Sequence, residues 1–141
     1  MTGRSKRPTG LTKDVGFQIG VRRTLPIHHA DAWQLVTSEK GVNIWLGSTS
    51  ELDFGKGARY RLADGSVGEV RVFSPNSHLR ITWQPPGWSR SSTIQVRVIP
   101  KGDRTTIAFH QEHLPGAGER EERRAHFAAA LDALEALIRA E

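Results

Sequence analysis

The sequence contains no cysteine, and only one methionine and one tyrosine among its 141 residues. Without cysteine, the chain has no disulfide bonds, no thiolate nucleophile and no cysteine-ligated metal site. It also lacks any run that approaches the roughly 18 consecutive apolar residues of a membrane-spanning helix. Its N-terminus is polar and basic. We therefore expect no membrane partner and no secretory signal, and a cytoplasmic location.

The positive charge of the chain is concentrated at its N-terminus. The formal net charge is +5, and the first 13 residues carry four basic side chains and no acidic one. The rest carries 16 basic and 15 acidic residues, so no nucleic-acid partner is predicted. We expect residues 1–13 to be a disordered basic leader that contributes nothing to the fold, and residues 14–141 to form a single domain.

Most of the chain alternates between apolar and polar residues, which is the pattern of half-buried strands. The first predicted strand spans residues 15–25. Two short helices follow, one over residues 32–36 with Asp31 as its N-cap and one over residues 38–46. Turn-forming residues then separate six predicted strands, a spacing typical of an antiparallel meander. These strands cover residues 51–54, 58–62, 67–73, 79–84, 93–99 and 105–114.

The C-terminal segment changes to a helical period. Glutamates are frequent in its first turn, and apolar residues then recur at intervals of four, three and four. This pattern predicts one long amphipathic helix of about 20 residues. The apolar positions are Phe127, Leu131, Leu134 and Ile138. Because the sheet offers the only large apolar surface for this stripe, we predict an α+β fold in which a curved antiparallel sheet wraps around the helix.

Several of these segments together resemble a known family. They are residues 21–26, 32–37, 45–47, 68–70, 79–83 and 109–115 with the helix that follows. They are similar to START-like (SRPBCC) domains, and more narrowly to homologues of the activator of heat-shock-protein-90 ATPase. The resemblance implies a helix-grip fold with an elongated, mostly apolar cavity between the sheet and the last helix. It departs at Phe127, where such sequences often have tryptophan.

The alternation also predicts which side chains face this cavity. Continuing the inward series from Phe109 by twos reaches Gln111 and His113, two polar groups able to orient a ligand. The alternative is that the strand leaves the core by residue 111 and both side chains face solvent. Trp45 would lie over the cavity mouth, as the resemblance implies. The residues expected to bind the ligand are Phe17, Ile19, Trp45, Tyr60, Val70, Trp83, Val96, Phe109, Gln111, His113, Phe127 and Leu131.

Recognisable catalytic and metal motifs are not found. The spacing of His110 and His113 matches neither the zincin pattern nor a facial triad. The chain has no nucleophile elbow, phosphate-binding loop or dinucleotide fingerprint. Glu69 and Glu112 are single carboxylates expected to face solvent. No catalytic residue, metal or cofactor is therefore predicted. A separate expectation concerns Trp88, which should lie exposed on a turn unless it folds back.

Three functions remain open from the sequence. The first is a binding domain that encloses an apolar or amphipathic small molecule between the sheet and the last helix. The second, which the resemblance implies, is a co-chaperone-like domain with a chaperone ATPase as partner and a role in stress response. The third is a cyclase-type or hydrolase-type enzyme that uses Gln111 or His113 at the cavity mouth. Because no reaction is indicated, an enzyme is the less favoured interpretation.

Overall fold

The computed structural model describes residues 11–12, 16–49 and 52–140. Within these ranges the chain forms seven strands and three helices. In chain order they are β1 Leu11–Thr12, β2 Gly16–Leu25, α1 His29–Thr37, α2 Glu39–Trp45, β3 Arg59–Arg61, β4 Val67–Ser74, β5 His78–Trp83, β6 Ser92–Lys101, β7 Arg104–Leu114 and α3 Ala117–Ala140.

The strands form one antiparallel sheet in the order β1-β2-β7-β6-β5-β4-β3. The first long strand, β2, lies beside the last strand, β7, and the others follow as a meander. Helix α3 packs against β2, β7 and α2. The predicted α+β helix-grip architecture is thus confirmed. None of the described helices combines the length and the apolar character needed to cross a bilayer.

Two parts of the strand prediction differ from the structure. Residues 52–54 of the predicted strand 51–54 form a loop, and residue 51 lies outside the described residues. The Asp53 side chain accepts a hydrogen bond from the Gly55 amide at 2.8 Å, which favours a turn over a strand. Conversely, β1 lies within the predicted leader and pairs with β2. Residues 1–10 and 13 of that leader lie outside the described residues.

The short helices begin at side chains that cap their free amides. His28, not the predicted Asp31, caps α1, because its Nδ1 accepts from the Ala30 amide at 3.2 Å. Ser38 caps α2 by accepting from the Gly41 amide at 3.0 Å. The Trp45 indole then donates to the Val36 carbonyl at 2.8 Å, which ties the end of α2 to α1.

Helix α3 presents the predicted apolar stripe to the sheet. Phe127, Leu131 and Leu134 are buried, and Ile138 is partly buried at the helix end. The helix is 24 residues long, somewhat longer than predicted. On its outer side, Arg23 of β2 forms ion pairs with Asp132 and Glu135 at 2.8 and 3.0 Å.

Strand β7 contains a bulge near its end. Ile19 pairs with Gln111, and Phe17 pairs with Leu114. The chain therefore advances three residues along β7 but only two along β2 between these pairs. His113 takes the extra place with a left-handed φ of 66°. Leu114 therefore occupies the next buried position. The alternation is confirmed as far as Gln111, and the expectation that His113 faces inward with it is wrong.

Candidate functional site

The twelve residues predicted to bind the ligand differ in how deeply they are buried. Ten of the twelve are buried in the layer between the sheet and α3, called here the interior. They are Ile19, Trp45, Tyr60, Val70, Trp83, Val96, Phe109, Gln111, Phe127 and Leu131. Phe17 and His113 are half-buried. The structure therefore brings most of the predicted residues to one layer.

Aromatic side chains fill the middle of the interior. Phe109 of β7 stacks on Phe127 of α3, with ring centroids 4.8 Å apart. The Trp45 ring lies 6.0 Å from Phe109 on the side of α2. Offset aromatic pairs at such distances hold sheet and helix in fixed relative positions. These rings provide an apolar environment for the polar groups beside them.

A row of three polar side chains crosses this apolar layer. We call Ser92, Gln111 and Arg123 the polar row. Gln111 is 0% exposed, and its Nε2 donates to Ser92 Oγ at 2.8 Å while its Oε1 accepts from Arg123 Nε at 2.9 Å. Ser92 Oγ in turn donates to the Trp83 carbonyl at 2.9 Å. These bonds fix the amide orientation of Gln111, so that its oxygen points to Arg123.

Arg123 is a largely buried cation at the helix end of the row. Its guanidinium carbon lies 4.0 Å from the Trp83 ring centroid and 5.1 Å from that of Phe127. Burial lowers the pKa of Arg123 from 12.5 to about 10, against the opposing fields of Tyr60, Asp64 and Glu122. The group therefore stays charged at neutral pH. Its Nη2 is buried and makes no hydrogen bond with the residues described.

Tyr60 lies at the same end of the interior. Its hydroxyl donates to the Thr82 carbonyl, crossing β4 where Gly68 has no side chain. Burial raises the pKa of Tyr60 above its usual value near 10, although the field of Arg123 acts in the opposite direction. The phenol is therefore protonated at neutral pH. Tyr60 therefore borders the interior with its hydroxyl held in a hydrogen bond, and its raised pKa does not favour acid–base chemistry near neutral pH.

Two pockets lie next to this end of the interior. One of about 580 Å³ is bordered by Tyr60, Gly68 and Gln84. The other, of about 620 Å³, is bordered by Trp88 and by His113. Trp88 folds back onto Trp83 with ring centroids 5.3 Å apart, as the sequence allowed. Trp88 is half-buried, borders the second pocket and contacts the Trp83 ring, over which Arg123 lies.

The sequence model of one protein family, described as Activator of Hsp90 ATPase homolog 1-like protein, matches residues 27–139. The chain belongs to this family. The resemblance found in the sequence is thereby confirmed. Among curated protein sequences, none matches this chain closely.

Solved structures show the same fold as this family member. CalU16 from Micromonospora echinospora has a TM-score of 0.71 at 21% identity, over 83% of this chain and 73% of that chain. DynU16, a putative protein in the dynemicin biosynthetic locus, has a TM-score of 0.73 at 20% identity, over 86% of this chain and 47% of that one. An Hsp90 activator from Plasmodium falciparum has a TM-score of 0.73 at 17% identity, over 86% of this chain and 95% of that chain.

The sequence prediction missed Arg123, although a signal for it was present. The predicted apolar stripe begins at Phe127, and Arg123 lies one helical step of four residues before it. A long cationic side chain can bury its stem on an apolar face and carry its charge inward. Ser92 was also missed, because it precedes the predicted strand 93–99 and lies at the first position of β6.

The site in this family member combines aromatic rings with a few hydrogen-bonding groups. Within residues 11–12, 16–49 and 52–140, no group of three metal-ligating side chains is found. His126, near Arg123, donates from Nε2 to the Trp45 carbonyl at 2.7 Å, and burial lowers its pKa. The interior thus supplies apolar rings, a fixed amide and a cation with a free donor. Such an arrangement can hold and orient a molecule with a polar end.

Proposed function

We propose that this domain binds a small amphipathic molecule between the sheet and α3, with the polar end of the molecule at the polar row. The observation that supports this proposal is the buried Nη2 of Arg123, which has no partner among the described residues. A buried donor without a partner carries a desolvation penalty of about 1–3 kcal/mol, more when charged. A ligand that supplies an acceptor removes that penalty.

The position of Arg123 favours binding over a purely structural role. An arginine that pairs with a carboxylate frequently does so in a bidentate geometry. Arg123 instead donates from Nε to the neutral side-chain amide of Gln111. Its Nη2 takes no part in that hydrogen bond. The remaining surroundings are the aromatic faces of Trp83 and Phe127. A few placed polar groups in an apolar interior are the usual composition of a small-molecule site.

Native mass spectrometry tests this function directly. The protein is purified from its own host under non-denaturing conditions, and a panel of fatty acids, fatty alcohols and aromatic metabolites is screened by thermal shift. We expect a bound small molecule in the native spectrum and a higher Tm with members of the panel. No bound molecule, together with no shift across the panel, would contradict the proposal.

A chaperone partner is a second candidate function, which the family name supports. The chain belongs to a family named after an activator of the Hsp90 ATPase. It also covers 95% of the Hsp90 activator from Plasmodium falciparum. The test is the ATPase rate of Hsp90 from the same host, with and without the purified protein. An unchanged rate and no co-purified chaperone would remove this candidate.

A further inference from the structure

Three buried side-chain atoms in the described part of the chain have no hydrogen-bond partner. They are Ser66 Oγ, Trp83 Nε1 and Arg123 Nη2. Ser66 is 0% exposed and Trp83 is 6% exposed. The indole and the guanidinium can only donate, and the hydroxyl is able to donate. All three atoms would therefore be satisfied by a group that accepts hydrogen bonds.

The fold brings these three residues to one end of the interior. The Trp83 ring, which carries Nε1, lies directly under the Arg123 guanidinium at 4.0 Å. Ser66 precedes Val67, whose amide bonds to the carbonyl of Gln84, the residue after Trp83. The turn before β4 and the end of β5 thus meet below the helix. The three donors come from three elements that converge on the same region.

The Arg123 guanidinium supplies the buried positive charge beside the Trp83 ring. In the described part of the chain, no carboxylate forms an ion pair with Arg123; Asp64 and Glu122 act on it only through longer-range fields. The aromatic faces on Trp83 and Phe127 compensate a buried cation partly, because ring quadrupoles attract it. They supply no hydrogen-bond acceptor for Nη2.

We propose, building on the proposed function, that the ligand is a singly charged organic acid whose carboxylate binds Arg123 Nη2 and the indole of Trp83. A neutral ligand would satisfy the donors but would leave the guanidinium charge unpaired. A cation would be repelled by that charge. A doubly charged phosphate would bring more negative charge than the single guanidinium balances, and the fields of Asp64 and Glu122 would add to its repulsion. A monoanion matches both the donors and the charge.

Matched pairs of probes test the charge of the ligand. Isothermal titration calorimetry at pH 7 compares 2-naphthoate with 2-naphthalenemethanol, and decanoate with 1-decanol. The proteins are the wild type, Arg123→Met and, as control, Arg124→Met, which removes the same charge from an exposed neighbour paired with Glu121. We expect the wild type and the control to bind the acids about tenfold or more tightly than the alcohols. Arg123→Met should lose this preference.

The outcomes separate the inference from the proposed function. Equal binding of acid and alcohol by wild type and Arg123→Met would overturn the inference and leave an amphipathic binding domain. If no acid or alcohol binds, the inference is overturned, and the native mass spectrum with the thermal-shift panel decides the proposed function. Should Arg123→Met not fold, the indole N–H signal of Trp83 in the wild-type NMR spectrum decides. It should shift with 2-naphthoate, and an unchanged Trp83 signal when 2-naphthoate is bound would refute the assignment.

Discussion

Replacing Arg123 with methionine shows whether this side chain stabilises the fold or is held in the interior at the expense of stability. Methionine keeps most of the apolar stem of the side chain and removes the buried charge that lies over Trp83. A pKa lowered by burial from 12.5 to about 10 corresponds to about 3 kcal/mol against the charged form. Loss of this penalty favours the variant.

Two losses act in the opposite direction. The cation would no longer contact the Trp83 ring, which is worth about 0.5–2 kcal/mol. Gln111 Oε1 would lose the Arg123 Nε donor and remain buried, which costs about 1–3 kcal/mol. The terms nearly cancel, so Arg123→Met should change the free energy of unfolding by no more than about 1 kcal/mol.

Adding Gln111→Leu removes the unpaired oxygen as well. The double variant should be about 1–3 kcal/mol more stable than Arg123→Met alone, and more stable than the wild type. Gln111→Leu alone should be the least stable of the set, because it leaves two buried guanidinium nitrogens without partners. Ser92 keeps its bond to the Trp83 carbonyl in each variant. The double-mutant cycle therefore predicts strong coupling between the two sites.

The assay is urea unfolding followed by tryptophan fluorescence on dialysed, ligand-free protein. Arg124→Met is the exposed control and should be close to wild type. A loss of more than about 3 kcal/mol for Arg123→Met, as for a core truncation, would refute the reasoning. It would mean that the guanidinium supports the fold itself rather than standing ready for a ligand.

Three further variants test the packing and the pH response. Leu131→Ala, in the middle of α3, should cost about 2–5 kcal/mol in urea unfolding, and a much smaller loss would contradict the burial of this side chain. Gly68→Ala should cost about 1–3 kcal/mol or more, because a Cβ there would overlap the Thr82 carbonyl oxygen; a wild-type Tm would refute this. Burial, and secondarily Arg123, lower the pKa of His126 below 6.5, so the unfolded chain binds the proton more readily. Stability should therefore fall as pH drops from 7 through 6.5, and an equal fall in His126→Gln would show that another group is responsible.

The elements predicted best from the sequence are those in which a single face is buried. The alternating pattern located β2, β4, β5, β6 and β7 to within two residues at each end. The spacing of the apolar residues likewise gave the buried face of α3. In these segments burial dictates one residue type at a fixed period, so local pattern and tertiary packing agree.

The failures occur where pairing or caps override the pattern. The alternation carries on smoothly through His113, but the extra residue is set by how β7 pairs with β2, which no local period encodes. At residues 52–54, apolar residues suggested a strand, whereas Phe54 packs on Phe73 from a loop at a centroid distance of 5.3 Å.

The candidate site was predicted only in part for a similar reason. A search for apolar periodicity finds Phe109 and Phe127 and, by extension, Gln111. It does not indicate Arg123, because a charged residue at an apolar position interrupts the pattern. Its burial depends on partners from β5 and β7 that the sequence does not place together. Sites of this kind are where sequence and fold disagree locally.

The most direct test of the binding site is a crystal structure of the protein grown with 2-naphthoate. We expect the naphthalene ring in the interior, with a carboxylate oxygen about 3 Å from Arg123 Nη2. The same carboxylate should accept a hydrogen bond from Trp83 Nε1. A naphthoate bound only elsewhere on the protein, with the Arg123 guanidinium still bonded to Gln111 alone, would contradict the account.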